Sequence, residues 1–261
     1  MIQQMLDFLA FFFTNASSLG IGLAVVFGTV WLVWYMPPLI KKPWLWAVLA
    51  GSAILMPLAV AFTEIPIRIW SFQVMSHFWG QENILRWLLV TAILPILLVG
   101  LVQEGAKLIP VIVYWWRKGK NLDPKLGLIA GAVAGAGFGI LEAQWLYSYI
   151  LASGWSWEIV QTSGVVALSG FWEGFFVIAF HIASCALAGW GLAKGWGWQF
   201  YLLASLLHAF LKYSSILVQS EIVSDVQAEL LIASWAMVVT GGVLWLRWGK
   251  TADAAAPDEA R

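Results

Sequence analysis

The sequence predicts an all-α protein that crosses a membrane about seven times, and three observations predict it. Hydrophobic residues fill 61% of the 261 positions and charged residues only 11%, against roughly 25% charged in a soluble domain. The apolar residues come in runs close to the ~20 that a helix needs to cross a bilayer. The runs end at proline, glycine and Lys/Arg clusters that suit loops at a membrane surface. Lys and Arg balance Asp and Glu at 14 each, so nothing points to nucleic acid as a partner. Cys185, the single cysteine, lies in an apolar stretch and can form neither an intramolecular disulfide nor a thiolate cluster. Any metal site must therefore draw on His and carboxylates.

The N-terminus lacks the basic region and small-residue cleavage site of a signal peptide, and it is expected to stay in the mature chain with Asp7 as its one charge. The first apolar run, Leu19 to Tyr35, stops at Pro37-Pro38 ahead of Lys41-Lys42, and the second runs from Trp44 to about Phe62. Together they read as a helical hairpin. Thr63 to Arg86 carries Glu64, Arg68, Glu82 and Arg86, too polar to span, and is expected as a loop or a helix along the interface. The third span is Trp87 to Trp116, with Pro95 able to kink it, and it ends at Arg117-Lys118-Gly119-Lys120. The fourth is Leu126 to Leu151. The fifth, Gly170 to Leu192, has room for a membrane-surface segment before it, and Trp198 to Val218 and Glu229 to Leu246 complete the seven. These form a single bundle over residues 1–250 with its site region near 88–215. Residues 251–261, polar and without periodicity, are expected to be a disordered cytoplasmic tail.

Orientation follows from the cations, which accumulate in short cytoplasmic loops. With the N-terminus outside, ten cations lie inside: Lys41, Lys42, Arg117, Lys118, Lys120, Lys125, Lys194, Arg247, Lys250 and Arg261. Only Arg68 and Arg86 lie outside, so the expectation is N-out and C-in. Among the 19 tryptophans, Trp87, Trp115, Trp116, Trp196, Trp198 and Trp248 fall at span ends, where interfacial anchoring accounts for them.

An ionisable group at the bilayer centre costs from about 2.5 kcal/mol upward, so those kept there carry the functional reading: Glu104, Lys107, Glu142, Glu173, His181, His208 and Lys212. At ~1.5 Å rise per residue, Glu104, Glu142, His181 and His208 each lie about 15–22 Å from the cytoplasmic end of their own spans. Two carboxylates and two imidazoles from four successive helices thus share one depth. Span four carries Gly127, Gly131, Gly135 and Gly139, a ridge along which another helix approaches closely. Glu142, seven residues after Gly135, is rotated from that ridge by only about 20° and should face the interior. Tyr201, Ser205, His208 and Lys212 share a stripe on span six, and Glu104 and Lys107 are i, i+3 neighbours able to pair. Glu173, two turns from His181, is a candidate for the mouth of the site.

Two imidazoles and a carboxylate, here His181, His208 and Glu142, make a ligand set for catalytic Zn²⁺ with a position open for water. Without metal, a desolvated Glu104 or Glu142 takes a proton from water while His181 and His208 orient it and donate to a developing oxyanion. Either route hydrolyses an amide or ester within the bilayer. No G-x-S-x-G elbow or H-E-x-x-H pair occurs. The other classes that use such a polar cavity are a membrane transporter and a non-catalytic membrane chaperone or scaffold.

Gln103-Glu104-Gly105-Ala106-Lys107, Gly137-Phe138-Gly139-Ile140-Leu141-Glu142, His181 with Gly189 eight residues on, and His208 together resemble the ordered motifs of PrsW-type intramembrane proteases. Those are similar to the CAAX-prenyl and bacteriocin-processing membrane proteases and to YhfC-type proteases, in which a Glu precedes the span-five His by eight residues, as Glu173 precedes His181. The resemblance spans about Leu88 to Ser215. It implies a multi-pass hydrolase of a bacterial-type plasma membrane, acting on a membrane protein or lipidated peptide, with Glu104, Glu142, His181 and His208 catalytic and Lys107 and Glu173 supporting. Two positions depart from the pattern: Gln103 stands where the first of two glutamates is usual, and Lys212 where Asn or Asp commonly follows the last His.

Overall fold

In the computed structural model, which describes residues 1–249, every regular element is helical. In chain order these are α1 (Ile2–Thr14), α2 (Ser18–Val33), α3 (Trp44–Ala59), a π-helical turn (Val60–Glu64), α4 (Ile65–Trp79), α5 (Gln81–Arg86), α6 (Leu88–Thr91) and α7 (Ile93–Arg117). Then follow α8 (Pro124–Ala152), α9 (Trp157–Ser163), a 3₁₀ turn (Gly164–Leu168), α10 (Ser169–Ala193), α11 (Gly197–Gln219) and α12 (Asp225–Trp248). Local chemistry sets several starts. Ser17 caps α2 by accepting from Gly20 N, Asp123 caps α8 by accepting from Leu126 N ahead of Pro124, and Ser224 with Gln227 forms a capping box on α12, each satisfying a backbone donor that the first turn leaves free.

Small residues decide which helices lie at the centre. The predicted ridge on α8 packs antiparallel against α10. A Cβ at Gly127 would sit 2.6 Å from Gly189 O, and one at Gly131 or Gly135 would overlap Cys185 O or His181 O. With no side chain between them the two backbones come together, as small residues permit in membrane helices. On another face, Gly137 abuts Leu49 O of α3 and Gly28 of α2 abuts Ile140. Helix α8 is therefore wrapped by α2, α3 and α10, and its residues from Gly127 to Gly139 are all buried. Helix α7 closes on α11 in the same way, with Gly100 against Ser205 O and the Tyr201 hydroxyl donating to Leu101 O at 2.9 Å.

Among the described residues, six helical segments are long and apolar enough to cross a membrane, and a seventh results if α1 and α2, bent by 88°, count as one span. Helix α2 alone has 16 residues, about 24 Å at 1.5 Å per residue, short of the ~30 Å hydrocarbon core. The segment from Thr63 is helical, one of the two forms expected for it: the helix begun at Trp44 continues through the π turn to Trp79, 36 residues in all. Its polar residues are accommodated because Glu64 and Arg68, spaced i, i+4, pair at 3.5 Å. The third span runs as one segment from Leu88 to Arg117 with a single αR turn residue, Ala92, between α6 and α7; Pro95 sits in the first turn of α7, where a missing N–H is tolerated. Helix α9 and the 3₁₀ turn form the expected lead-in to the fifth span. The expected tail, 251–261, lies outside the described residues.

Candidate active site

Four helices bring their ionisable residues to one place. Helix α7 supplies Glu104 and Lys107, α8 supplies Glu142, α10 supplies His181 and Ser184, and α11 supplies His208 and Lys212. The close approach of α8 to α10 at Gly135 and Gly139 sets the position of His181, whose Cβ lies 3.1 Å from where a Gly139 side chain would begin. On Glu104, one oxygen, Oε1, takes all the donors: Lys107 Nζ at 2.5 Å, His208 Nδ1 at 2.8 Å and Ser184 Oγ at 2.9 Å. Lys107 Nζ also reaches His181 Nδ1 at 2.8 Å. On the other side of His181, Nε2 lies 2.9 Å from Glu142 Oε2, and Glu142 Oε1 accepts from Lys212 Nζ at 2.7 Å. Phe138 and Phe180, both fully buried, pack on the two imidazoles with ring centroids 5.5 Å away, and the imidazole centroids themselves are 5.2 Å apart.

The predicted depth layer is thus a contact network, but it is tighter than the open polar cavity that its composition suggested. Glu104, Lys107, His181 and His208 have no exposed side-chain surface, whereas Glu142 is 14% and Lys212 30% exposed. Access is from the Glu142 and Lys212 side. Glu173 stands apart: it is half-buried and makes no hydrogen bond or ion pair among the described residues.

Proton positions follow from the partners. A carboxylate only accepts, so His208 carries its proton on Nδ1 and leaves a lone pair on Nε2. An ammonium only donates, so Lys107 on Nδ1 of His181 puts that proton on Nε2, towards Glu142. The two histidines hold opposite tautomers. Three side-chain atoms of this region are buried with neither a hydrogen-bond nor an ion-pair partner, His208 Nε2, Glu104 Oε2 and Gln103 Oε1, while His181 Nε2 and Glu142 Oε2 have only each other, at 2.9 Å. Buried polar atoms are normally satisfied, so several in one cluster mark places for a ligand.

The donor set fits a divalent metal. Glu104, His181 and His208 each offer an atom within 4.8 Å of the others, and two imidazoles with a carboxylate suit zinc. Glu104 Oε1 is taken up by His208 Nδ1, and its Oε2 is the oxygen left without a partner. His181 would ligate through Nε2 as a neutral imidazole only with its proton moved to Nδ1, where Lys107 now donates.

Sequence reasoning singled out Glu104, Lys107, Glu142, His181 and His208, and all five are in the network. It missed Glu64, which is buried in the π turn and accepts from Gln103 Nε2 at 2.9 Å. The signal was present: Glu64 and Arg68 have the spacing of a helical ion pair, and Glu64 is the one acidic residue between Asp7 and Glu82.

No curated protein and no solved structure matches the chain. A family profile described as PrsW family intramembrane metalloprotease does match, over residues 40–243, and that span includes every residue of the network. With its apolar membrane-spanning helices, the chain belongs to the PrsW family of intramembrane metalloproteases.

Proposed function

We propose that this protein hydrolyses peptide bonds of membrane-anchored or membrane-spanning substrates at the Glu104, Glu142, His181 and His208 cluster. The observation that carries the reading is the convergence of two imidazoles and two carboxylates from four helices, with His181 Nε2 facing Glu142 at 2.9 Å and His208 Nε2 left without a partner. Glu142 is the general base, because it alone of the four has exposed surface from which water and substrate arrive. It takes a proton from the attacking water and returns it to the leaving amine. His181 and His208, with Glu104, hold the water in place, directly or through a metal. A zinc ion bound there would lower the pKa of its water towards neutrality. Lys107 and Ser184 fix Glu104, which in turn fixes the tautomer of His208. Lys212 holds Glu142 and places positive charge on the open side, where it can donate to a carbonyl oxygen gaining charge. Glu173 contributes negative charge nearer the mouth. The apolar walls of Phe138 and Phe180 strengthen each of these interactions by excluding water.

The test is cleavage of a panel of membrane-anchored reporters by the purified protein in liposomes, comparing wild type with Glu142→Gln and His208→Ala and measuring metal content on the same samples. Cleavage by wild type alone, with both variants folded, supports the reading, and the metal assay selects between the metal-bound and metal-free forms. Binding without cleavage would favour a chaperone or scaffold, and movement of a solute across the liposome would favour a transporter.

A further inference from the structure

Gln103 and Glu64 adjoin the cluster without taking part in its contacts. Glu64 closes the π turn, is 7% exposed and is held by Gln103 Nε2 on one oxygen and by Arg68, 3.5 Å away, on the other. Because a carboxylate has only acceptors, the Gln103 amide must present its NH₂ to Glu64 and turn its carbonyl oxygen away. That oxygen, Oε1, is buried and has no partner, and Gln103 as a whole is 2% exposed. The amide's orientation is therefore set, and the unmet atom is an acceptor. Glu104 is the next residue on α7, and Glu64 closes the π turn that follows α3, so the pair stands beside the cluster on its α3 side.

A neutral amide oxygen is not among the usual donors to a catalytic zinc, but it suits a backbone N–H. Proteolysis within a membrane creates that demand. A spanning helix buries its N–H groups in its own hydrogen bonds, and once a segment unwinds for cleavage there is no water to satisfy them. The protein has to supply the acceptor.

We propose that Gln103 is a substrate-binding residue whose Oε1 accepts a backbone N–H from the unwound segment of a membrane-spanning peptide, and that Glu64 is the positioning residue that holds its amide in that orientation. The inference rests on the proteolytic reading above and extends it to how the substrate backbone is held. Gln103 is then a part of the site although it stands where the first of two glutamates is usual.

The experiment uses full-length protein in micelles and a transmembrane peptide in which single amides are replaced, one at a time, by esters that lack the N–H. In wild type, one ester position raises KM about tenfold, the loss of one buried hydrogen bond, with little change in kcat. Gln103→Leu raises KM for the all-amide peptide by a similar factor and abolishes the ester effect at that position. Glu64→Ala raises KM because the amide is free to turn. The swap Glu64→Gln with Gln103→Glu restores both KM and the ester effect, since the amide at 64 now donates and the carboxylate at 103 keeps one oxygen free. The swap also carries the test if Gln103→Leu folds poorly. An ester scan with no position that distinguishes wild type from Gln103→Leu, or a swap without recovery, overturns the proposal. If wild type cleaves no peptide, the proteolytic reading fails. Binding of the same ester series, read by fluorescence anisotropy, then decides this proposal alone: a position-specific loss in wild type and not in Gln103→Leu supports it, and equal binding overturns it.

Discussion

Glu104 holds three donors on one oxygen in a place without solvent, and this makes it the side chain whose loss should be felt most. Glu104→Gln leaves Lys107 as a buried ammonium without its counter-charge, which is expected to cost about 3–5 kcal/mol of stability. Glu104→Gln combined with Lys107→Met should cost clearly less than the sum of the two single changes, measured by denaturant unfolding in micelles with the tryptophans as probe. Glu142→Gln is the contrast. Its carboxylate is partly open and its partner Lys212 reaches exposed surface, so the fold should hold while the cleavage rate falls by about 10²–10⁴-fold, the usual contribution of a general base. A variant that unfolds as readily as Glu104→Gln would remove Glu142 from the role of base. Most of the cluster was legible in the sequence because ionisable residues in apolar runs are few and their depths can be counted. What could not be read was pairing. That Glu104 serves His208, that Lys107 reaches His181 and that Glu64 holds Gln103 depend on rotations between helices, which no single helix encodes.

Among the elements, α8 is the one on which the others are built. A side chain at Gly135 would run into the backbone of α10 at His181, and backbone cannot move aside as a flexible side chain can. Gly135→Val is expected to destabilise by at least about 1–3 kcal/mol and to separate Glu142 from His181, so that stability and activity fall together. Gly22 and Gly241 have no atom within 4 Å of a would-be Cβ, and Gly22→Ala or Gly241→Ala should stay within about 0.5 kcal/mol of wild type; thermal unfolding of the three variants checks both statements. The glycine ridge was visible in the sequence as a four-residue period, and so was its role as a contact face. The identity of the facing helix was not. The stretch after Phe62 was expected as a loop or a helix along the interface and is helical; that Glu64 turns inward onto Gln103 had no signal in the sequence of that stretch alone. The right-angle bend between α1 and α2 likewise had no local signal stronger than the short polar link Asn15-Ala16-Ser17.

For the whole molecule, ten cations against two predict that the N-terminus faces outward and that the loops after Val33, Arg117 and Ala193 face the cytoplasm. Single cysteines placed in those loops, in a Cys185→Ala background, should resist an impermeant thiol reagent in intact cells, and one placed between α11 and α12 should react; the opposite pattern would invert the topology. That assignment puts Lys212, Glu173 and the open edge of Glu142 towards the outer side of the membrane, the direction from which substrate would enter. The two ion pairs, Glu104 with Lys107 and Glu142 with Lys212, have a further consequence. Each unpaired elementary charge carried through the field would exchange about 2.3 kcal/mol per 100 mV, but a cluster whose charges cancel in pairs exchanges almost none. Cleavage in liposomes should therefore proceed at the same rate with and without a potassium diffusion potential, so that the enzyme works alike in an energised cell and in one whose membrane voltage has collapsed.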